Sequence, residues 1–228
     1  MVSSQVWRHY YELFAVRYWH RQDAIGIQRA GFSFDVLPGG LTYRRFRRHL
    51  NGSSTYAVYN LDDNRRVGFI LFDMDVFPRV SRPREDLLKA LVEMKVQVRL
   101  LLNTLSKFNI KDDQVLVEFP TIGYHVLLFF RKPLPVREAK AFARLAKEQS
   151  GLNFKMPFYP HKTRGQGDLV LLPLRRNPLT GMRSNFVRDL ARFDPACYDE
   201  TPDLVPLERV CTVDPETIKG TLEAFNKL

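Results

Sequence analysis

Cysteine is nearly absent from this chain. Two thiols, Cys197 and Cys211, in 228 residues exclude a disulfide-stapled scaffold, and with five scattered histidines they assemble no zinc quartet. No apolar run is long enough to span a membrane. The opening Met-Val-Ser-Ser-Gln-Val-Trp lacks the apolar core of a secretory leader, so an intracellular, cytoplasmic protein is expected. Acidic residues are in deficit: 25 Asp and Glu face 35 Lys and Arg, for a net charge of +10. That imbalance suits a polyanionic partner, nucleic acid or a nucleotide. Repeats and low-complexity tracts are missing, and an apolar fraction of 45% excludes wholesale disorder.

The most informative stretch is Val67-Gly-Phe-Ile-Leu-Phe-Asp73-Met-Asp75-Val76. Phe, Ile, Leu and Val in succession read as a central strand. Side chains alternate along a strand, so Asp73 and Asp75 leave one face with their α-carbons about 7 Å apart. Adjacent carboxylates repel, and burial raises the cost. A hard divalent cation with oxygen ligands, Mg²⁺ or Mn²⁺, would relieve it. Two solvated acids at a strand end are the competing reading of that spacing.

Upstream, aromatics at mixed helical spacings over residues 5–20 predict a packed helix, with Arg17, Trp19, His20 and Arg21 following on a strand or at the helix end. After the Pro38-Gly39-Gly40 turn, Thr42 is the expected N-cap of a short helix over 43–50, closed by Asn51-Gly52. Arg44, Arg45, Arg47 and Arg48 load this helix with positive charge, a repulsion that phosphates would offset. A strand over 55–59 and a turn at Asp62-Asp63-Asn64 lead into the acidic strand.

Downstream come a loop with Arg79 and Arg82, a long helix over 84–107, and a hairpin of strands 115–119 and 124–130. His125 follows the hairpin glycine, Gly123. A histidine there could ligate a metal, bond a phosphate or fill a polar corner; an adjacent strand bearing Asp73 and Asp75 favours the first two. Pro135 opens a helix. Residues 160–167 form a basic loop in which Lys162, Arg164 and His161 suit a triphosphate. Asp168 opens a further strand, giving the order strand, long helix, hairpin, helix, strand of a split β-α-β sheet. Arg175 and Arg176 extend the positive character, and the remainder looks irregular until a helix over 215–225.

Ile70-Leu-Phe-Asp-Met-Asp75 resembles the first motif of the archaeo-eukaryotic primase superfamily, a hydrophobic strand ending in Asp-x-Asp. Gly123-Tyr-His125 resembles the second motif, and strand-borne Asp168 the third. The chain is most similar to the primase-polymerase domains of TOTE conflict systems and to CRISPR-associated primase-polymerases. It shares with them Leu41-Thr-Tyr-Arg-Arg-Phe-Arg-Arg-His-Leu-Asn-Gly52 before a Val-Tyr strand, and a His-Val-x-x-Phe-Phe strand followed by Pro-x-Pro and an Ala-rich helix. The likeness runs over roughly residues 10–190.

This resemblance implies an α+β, primase-like fold for one catalytic domain over 1–228. An N-terminal α/β module (about 1–60) would pack against an RRM-like catalytic module (about 61–190), with 191–228 as a C-terminal extension. It implies two Mg²⁺ or Mn²⁺ ions on Asp73, Asp75 and Asp168, with Asp189 as the alternative third carboxylate. Gly123, His125, His161, Lys162 and Arg164 would bind the nucleotide, Gly123 standing where many relatives have serine. Arg44, Arg45, Arg47, Arg48, Arg175 and Arg176 would follow the nucleic acid. Many TOTE-type domains carry a cysteine-rich zinc insertion, but residues 25–40 contain no cysteine, so no zinc is expected. The expected activity is template-dependent transfer of an NTP or dNTP onto a DNA or RNA primer. A prokaryotic source is expected too, and a place in a larger polypeptide with CRISPR-adaptation, helicase or nuclease partners. A non-catalytic nucleic-acid-binding module and a metal-dependent nuclease are the alternatives.

Overall fold

Phe14 and Tyr18, one turn apart, bury the inner face of the first helix, α1 (Ser4–Tyr18). The computed structural model describes residues 4–18, 21, 23–29, 33–76, 84–152, 156–177 and 180–226. Trp19, His20 and the loop with Arg79 and Arg82 lie outside the described residues. Two strands that the sequence pattern did not announce follow, β1 (Ala24–Gln28) and β2 (Phe34–Pro38). Helix α2 (Tyr43–Leu50) forms as expected. The Thr42 hydroxyl accepts from the Arg45 amide at 3.2 Å, and Gly52, at φ +82°, receives the chain at its end. Then come β3 (Tyr56–Tyr59), β4 (Arg66–Asp75), α3 (Arg84–Lys107), β5 (Val115–Phe119), β6 (Gly123–Pro135) and α4 (Val136–Gln149). Short elements complete the order: β7 (Phe158–Tyr159), β8 (Leu169–Leu171), β9 (Asn185–Phe186), α5 (Val205–Arg209) and α6 (Pro215–Asn226).

The strands form two antiparallel sheets, ordered β2-β1-β3-β8 and β7-β4-β6-β5-β9. Within the second, β4-α3-β5-β6-α4-β7 has the split β-α-β order of an RRM-like unit. The fold is therefore α+β, as expected, but one strand is placed differently. The unit is closed by Phe158–Tyr159, which pairs with Leu71 and Phe72, and not by the strand after Asp168. That strand, β8, returns to the first sheet, with Leu171 opposite Ala57 and Leu169 opposite Tyr59. Small residues make room for it: a β-carbon on Gly26 would come within 2.8 Å of Leu169 Cδ2.

Two apolar clusters hold the layers together. Alternation along β4 sends Ile70, Phe72 and Met74 to one face, where they pack with Leu91, Val98 and Leu101 of α3 and Phe142 of α4. Phe69 and Leu71 point the other way and meet Tyr18, Ile25, Tyr56 and Val170 of the first module. Rings interlock at this joint, with Tyr18 at 5.1 Å from Phe129 and 5.8 Å from Phe69. A register shift between Val67 and Phe69 puts Val67 on the helix-facing side with the even-numbered residues. Each large apolar side chain buried here contributes about 1.5–3 kcal/mol.

Candidate metal centre and its surroundings

Register across the second sheet sets one polar row. Asp73 of β4 lies opposite His125 of β6, and His125 lies opposite Glu118 of β5. By alternation all three share the face that carries Phe69, Leu71, Leu116 and Leu127, so they sit where the apolar joint between the sheets gives way to polar groups. Asp75, two residues beyond Asp73, faces the same way and is paired with Gly123. The glycine is demanded by this closeness: a β-carbon at Gly123 would stand 2.4 Å from the Met74 carbonyl and 2.6 Å from Asp75 Cα. Its role is to let the acid-bearing backbone approach.

Ligand atoms of Asp73, Asp75 and His125 all lie within 4.8 Å of one another, and all three residues are buried. His125 Nε2 stands 3.8 Å from Asp73 Oδ1. Its Nδ1 is 2.7 Å from Glu118 Oε2, a hydrogen bond. Burial alone would push the imidazole toward neutrality; Glu118, and beyond it Asp73 and Asp75, outweigh that and raise its pKa to about 9. Burial likewise opposes charge on Glu118, yet His125, the Ser184 hydroxyl and Arg175 hold its carboxyl below the usual range. Two carboxylates and an imidazole within one small volume are donors of the right kind and number to hold a divalent cation.

Asp168 belongs to a different substructure. Its Oδ2 accepts from the amides of His161 and Lys162 at 2.7 and 2.9 Å. Asn60, just past β3, clamps its backbone: Asn60 Oδ1 accepts from the Asp168 amide at 2.9 Å, and the Asn60 amide donates to the Asp168 carbonyl at 3.2 Å. Gly167, at φ +81°, passes so close that a β-carbon would meet Leu61 Cβ at 2.5 Å. β7 enters beside Asp73, whose amide donates to the Pro157 carbonyl at 3.0 Å; the basic loop leaves its other end, after Tyr159 opposite Leu71, and ends at Asp168 on the other sheet. His161, Lys162 and Arg164 are exposed along it. Asp189 lies elsewhere, half-exposed, 3.5 Å from Arg192, in the wall of an open cavity of about 690 Å³.

The arginines divide. Arg44, Arg47 and Arg48 are exposed on α2, as a phosphate-binding face requires. Arg45 and Arg175, grouped with them on sequence grounds, are placed otherwise. The Arg45 guanidinium donates to the carbonyls of Pro38, Gly39 and Gly40 at 2.6–2.9 Å and ties α2 to the preceding turn. Arg175 is buried, and its charge bears on Glu118 and His49. Arg176 keeps an exposed side chain and donates to the Gly181 carbonyl at 2.9 Å. Sequence reasoning missed Glu118 and Asn60. A lone carboxylate inside Val115-Leu-Val-Glu-Phe119 was the available signal for the first; nothing local marked the second.

The sequence model of one protein family, described as "TOTE conflict system, Archaeo-Eukaryotic Primase domain", matches residues 37–211, a span holding Asp73, Asp75, His125 and Asp168. A comparison with curated proteins returns no match.

Proposed function

This chain belongs to the archaeo-eukaryotic primase domains of TOTE conflict systems, and from that premise we propose that it is a template-dependent nucleotidyltransferase. It would extend a DNA or RNA primer by joining the primer 3′-oxygen to the α-phosphorus of an incoming nucleoside triphosphate. The hydroxyl proton is lost, the α–β anhydride bond breaks and pyrophosphate leaves. The observation that carries this reading is the buried group of Asp73, Asp75 and His125 at the polar end of the sheet joint.

Asp73 and Asp75 would hold the divalent ions, Asp168 completing the set from the first sheet. Bound there, Mg²⁺ or Mn²⁺ would neutralise triphosphate charge and lower the pKa of the attacking hydroxyl. Lys162, Arg164 and His161 sit on the loop that leaves β7 after Tyr159, opposite Leu71, and folds over the Asp168 carboxylate; they would meet the triphosphate from the Asp168 side. The charge of Lys162 and Arg164 would favour the developing anion without any side chain acting as nucleophile. Arg44, Arg47, Arg48 and Arg176 would take the primer-template backbone.

A 5′-labelled primer annealed to a longer template tests the proposal. With Mn²⁺ or Mg²⁺ and nucleotides, the label should move to longer products; without nucleotides it should stay unchanged. Shortening of the label in the absence of nucleotides would make the protein a metal-dependent nuclease. Binding with neither lengthening nor shortening would leave a non-catalytic nucleic-acid-binding module.

A further inference from the structure

Helix α4 carries a band of cations that the proposed reaction does not use. Its inner face is apolar, with Val136, Ala139, Phe142, Ala143 and Ala146 buried against the second sheet. Arg137, Lys140, Arg144 and Lys147 recur at intervals of three, four and three residues, so they follow one another along one side of the helix for about 15 Å. Like charges at that spacing repel. Arg137 also stands in the first turn, where the helix dipole disfavours a cation. The acids of the helix leave the band unneutralised. Glu138 bears on Lys219 of α6, and among the described residues neither it nor Glu148 pairs with these four.

Two of the four also hold the chain that leads to the acids. Lys147 Nζ donates to the Met156 carbonyl at 2.9 Å, and Lys140 Nζ to the His161 carbonyl at 2.6 Å. Met156 precedes Pro157, whose carbonyl accepts from the Asp73 amide. The band therefore starts, at Lys147, beside the backbone that flanks Asp73, and runs along β7, the outermost strand on this edge of the sheet. Helices α2 and α4 lie on opposite faces of that sheet: Phe46 of α2 packs with Phe69 and Leu71, Phe142 of α4 with Ile70 and Phe72. A stiff duplex on the arginines of α2 cannot bend around to α4, whereas a flexible single strand crossing the β7 edge can. The aromatic ring of α4, Phe142, is buried, so the band offers charge to phosphates and no stacking surface to bases.

We infer that this band is the track of the unpaired template strand, whose phosphates cross the β7 edge from the Asp73–Asp75 end and meet Lys147, Arg144, Lys140 and Arg137 in turn. The inference rests on the reading of the protein as acting on a primer-template. Contact of this kind positions the strand and is blind to its sequence.

Anisotropy titrations with labelled nucleic acid at several salt concentrations, without metal or nucleotide, test it. One probe is a primer annealed to a template with a long 5′ overhang, the other the same duplex with blunt ends. Arg137→Ala with Arg144→Ala removes two cations of the band and leaves in place the two lysines that hold backbone carbonyls. On the overhang probe this variant should bind about tenfold more weakly and lose about 1.4 from the log–log salt slope, about 0.7 for each single-strand phosphate. Blunt duplex should be bound as by wild type, and Arg137→Lys with Arg144→Lys should keep the wild-type slope on the overhang probe. An unchanged slope in the alanine variant, or an equal loss on blunt duplex, would overturn the inference. So would tighter wild-type binding to vesicles of anionic lipid than to the overhang probe, which would make the band a membrane-facing surface. Primer extension run beside these titrations separates the two readings. Extension with an unchanged slope sinks the track alone, and a wild type that neither extends the primer nor binds the overhang probe sinks both. Iron–EDTA tethered at Ala141→Cys, in a Cys197→Ser, Cys211→Ser background, supplies a check independent of affinity. Ala141 is exposed between Lys140 and Arg144 in the chain, so radicals released there should cut the unpaired template and spare the duplex; cuts confined to the duplex would contradict the track.

Discussion

At Gly123 the spacing of the whole site depends on one missing methyl group. The nearest obstacles to a β-carbon there are backbone atoms of Met74 and Asp75, at 2.4 and 2.6 Å, and backbone cannot step aside as a flexible side chain can. Gly123→Ala should therefore destabilise the fold by about 1–3 kcal/mol through overpacking, and displace Asp75. In denaturant titrations with parallel primer-extension rates, the loss of rate should exceed the fraction unfolded. A wild-type rate would mean that Asp75 tolerates the shift. The sequence offered Gly123 as a small residue near a phosphate; its packing against Asp75 became visible only with the register.

His49 gives the pH prediction at this scale. The ring is buried, Nε2 donates to the Pro173 carbonyl at 2.7 Å, and Nδ1 accepts from the Tyr56 amide at 3.2 Å. Both bonds fit the neutral imidazole. Burial, with Arg175 and Arg183 adding to it, lowers the pKa from 6.5 to about 4. The unfolded chain therefore takes up a proton before the folded one does, and stability present above pH 6.5 is lost as pH falls toward about 4. Between those limits the slope approaches about 1.4 kcal/mol per pH unit. Unfolding free energies across that range should fall roughly 2 kcal/mol further for wild type than for His49→Gln. Parallel curves for the two proteins would remove His49 as the cause.

Among the elements, those whose information is local were legible. Helix α2 carries its own start and stop in Thr42 and Asn51-Gly52. The span of α3, Arg84–Lys107, follows from its apolar stripe, although Val92, Val96 and Leu100 leave a second, exposed row on it. Thr42→Ala should cost about 1 kcal/mol by freeing the Arg45 amide, read as a shift in the denaturant midpoint at constant slope. A midpoint unchanged within error would show that the three Arg45 guanidinium bonds to residues 38–40 hold the helix without the cap. Elements fixed by distant partners stayed hidden. β2 is largely exposed, so no apolar alternation announces it. β7 is two residues long and exists because β4 has a free edge for it. Strand character at 169–171 could be read, but its choice of sheet could not, because it depends on Gly26 and Ala57 far upstream. The candidate site divides the same way: the Asp73–Asp75 pair was readable from its spacing and His125 from its place after the hairpin glycine, while the Glu118 and Asn60 contacts arise from pairing.

Taken as a whole, the molecule joins an acid-bearing sheet to an arginine-bearing module through an aromatic seam of Tyr18, Phe69 and Phe129. The two kinds of cation should then fail differently. Arg44→Ala with Arg48→Ala should weaken primer-template binding and reduce the log–log salt slope by about 0.9 for each duplex phosphate no longer neutralised. The nucleotide KM at saturating primer-template should stay near the wild-type value. Arg164→Ala should raise that KM and leave the salt slope alone. An unchanged salt slope in the double variant would make the α2 face a solvated one and move the path toward Arg176.

The central claim is that Asp73 and Asp75 anchor nucleotide transfer, and the most direct measurement is primer extension in Mn²⁺ by wild type beside Asp73→Asn and Asp75→Asn. All three proteins should show the same circular dichroism, because each substitution keeps the side-chain volume. Wild type should lengthen the primer in the order the template dictates, while each variant should lose at least a thousandfold in rate, about 4 kcal/mol of transition-state stabilisation. Extension by either folded variant at a rate near wild type would contradict the account, as would a wild-type protein that binds the primer-template and Mn²⁺ yet adds no nucleotide.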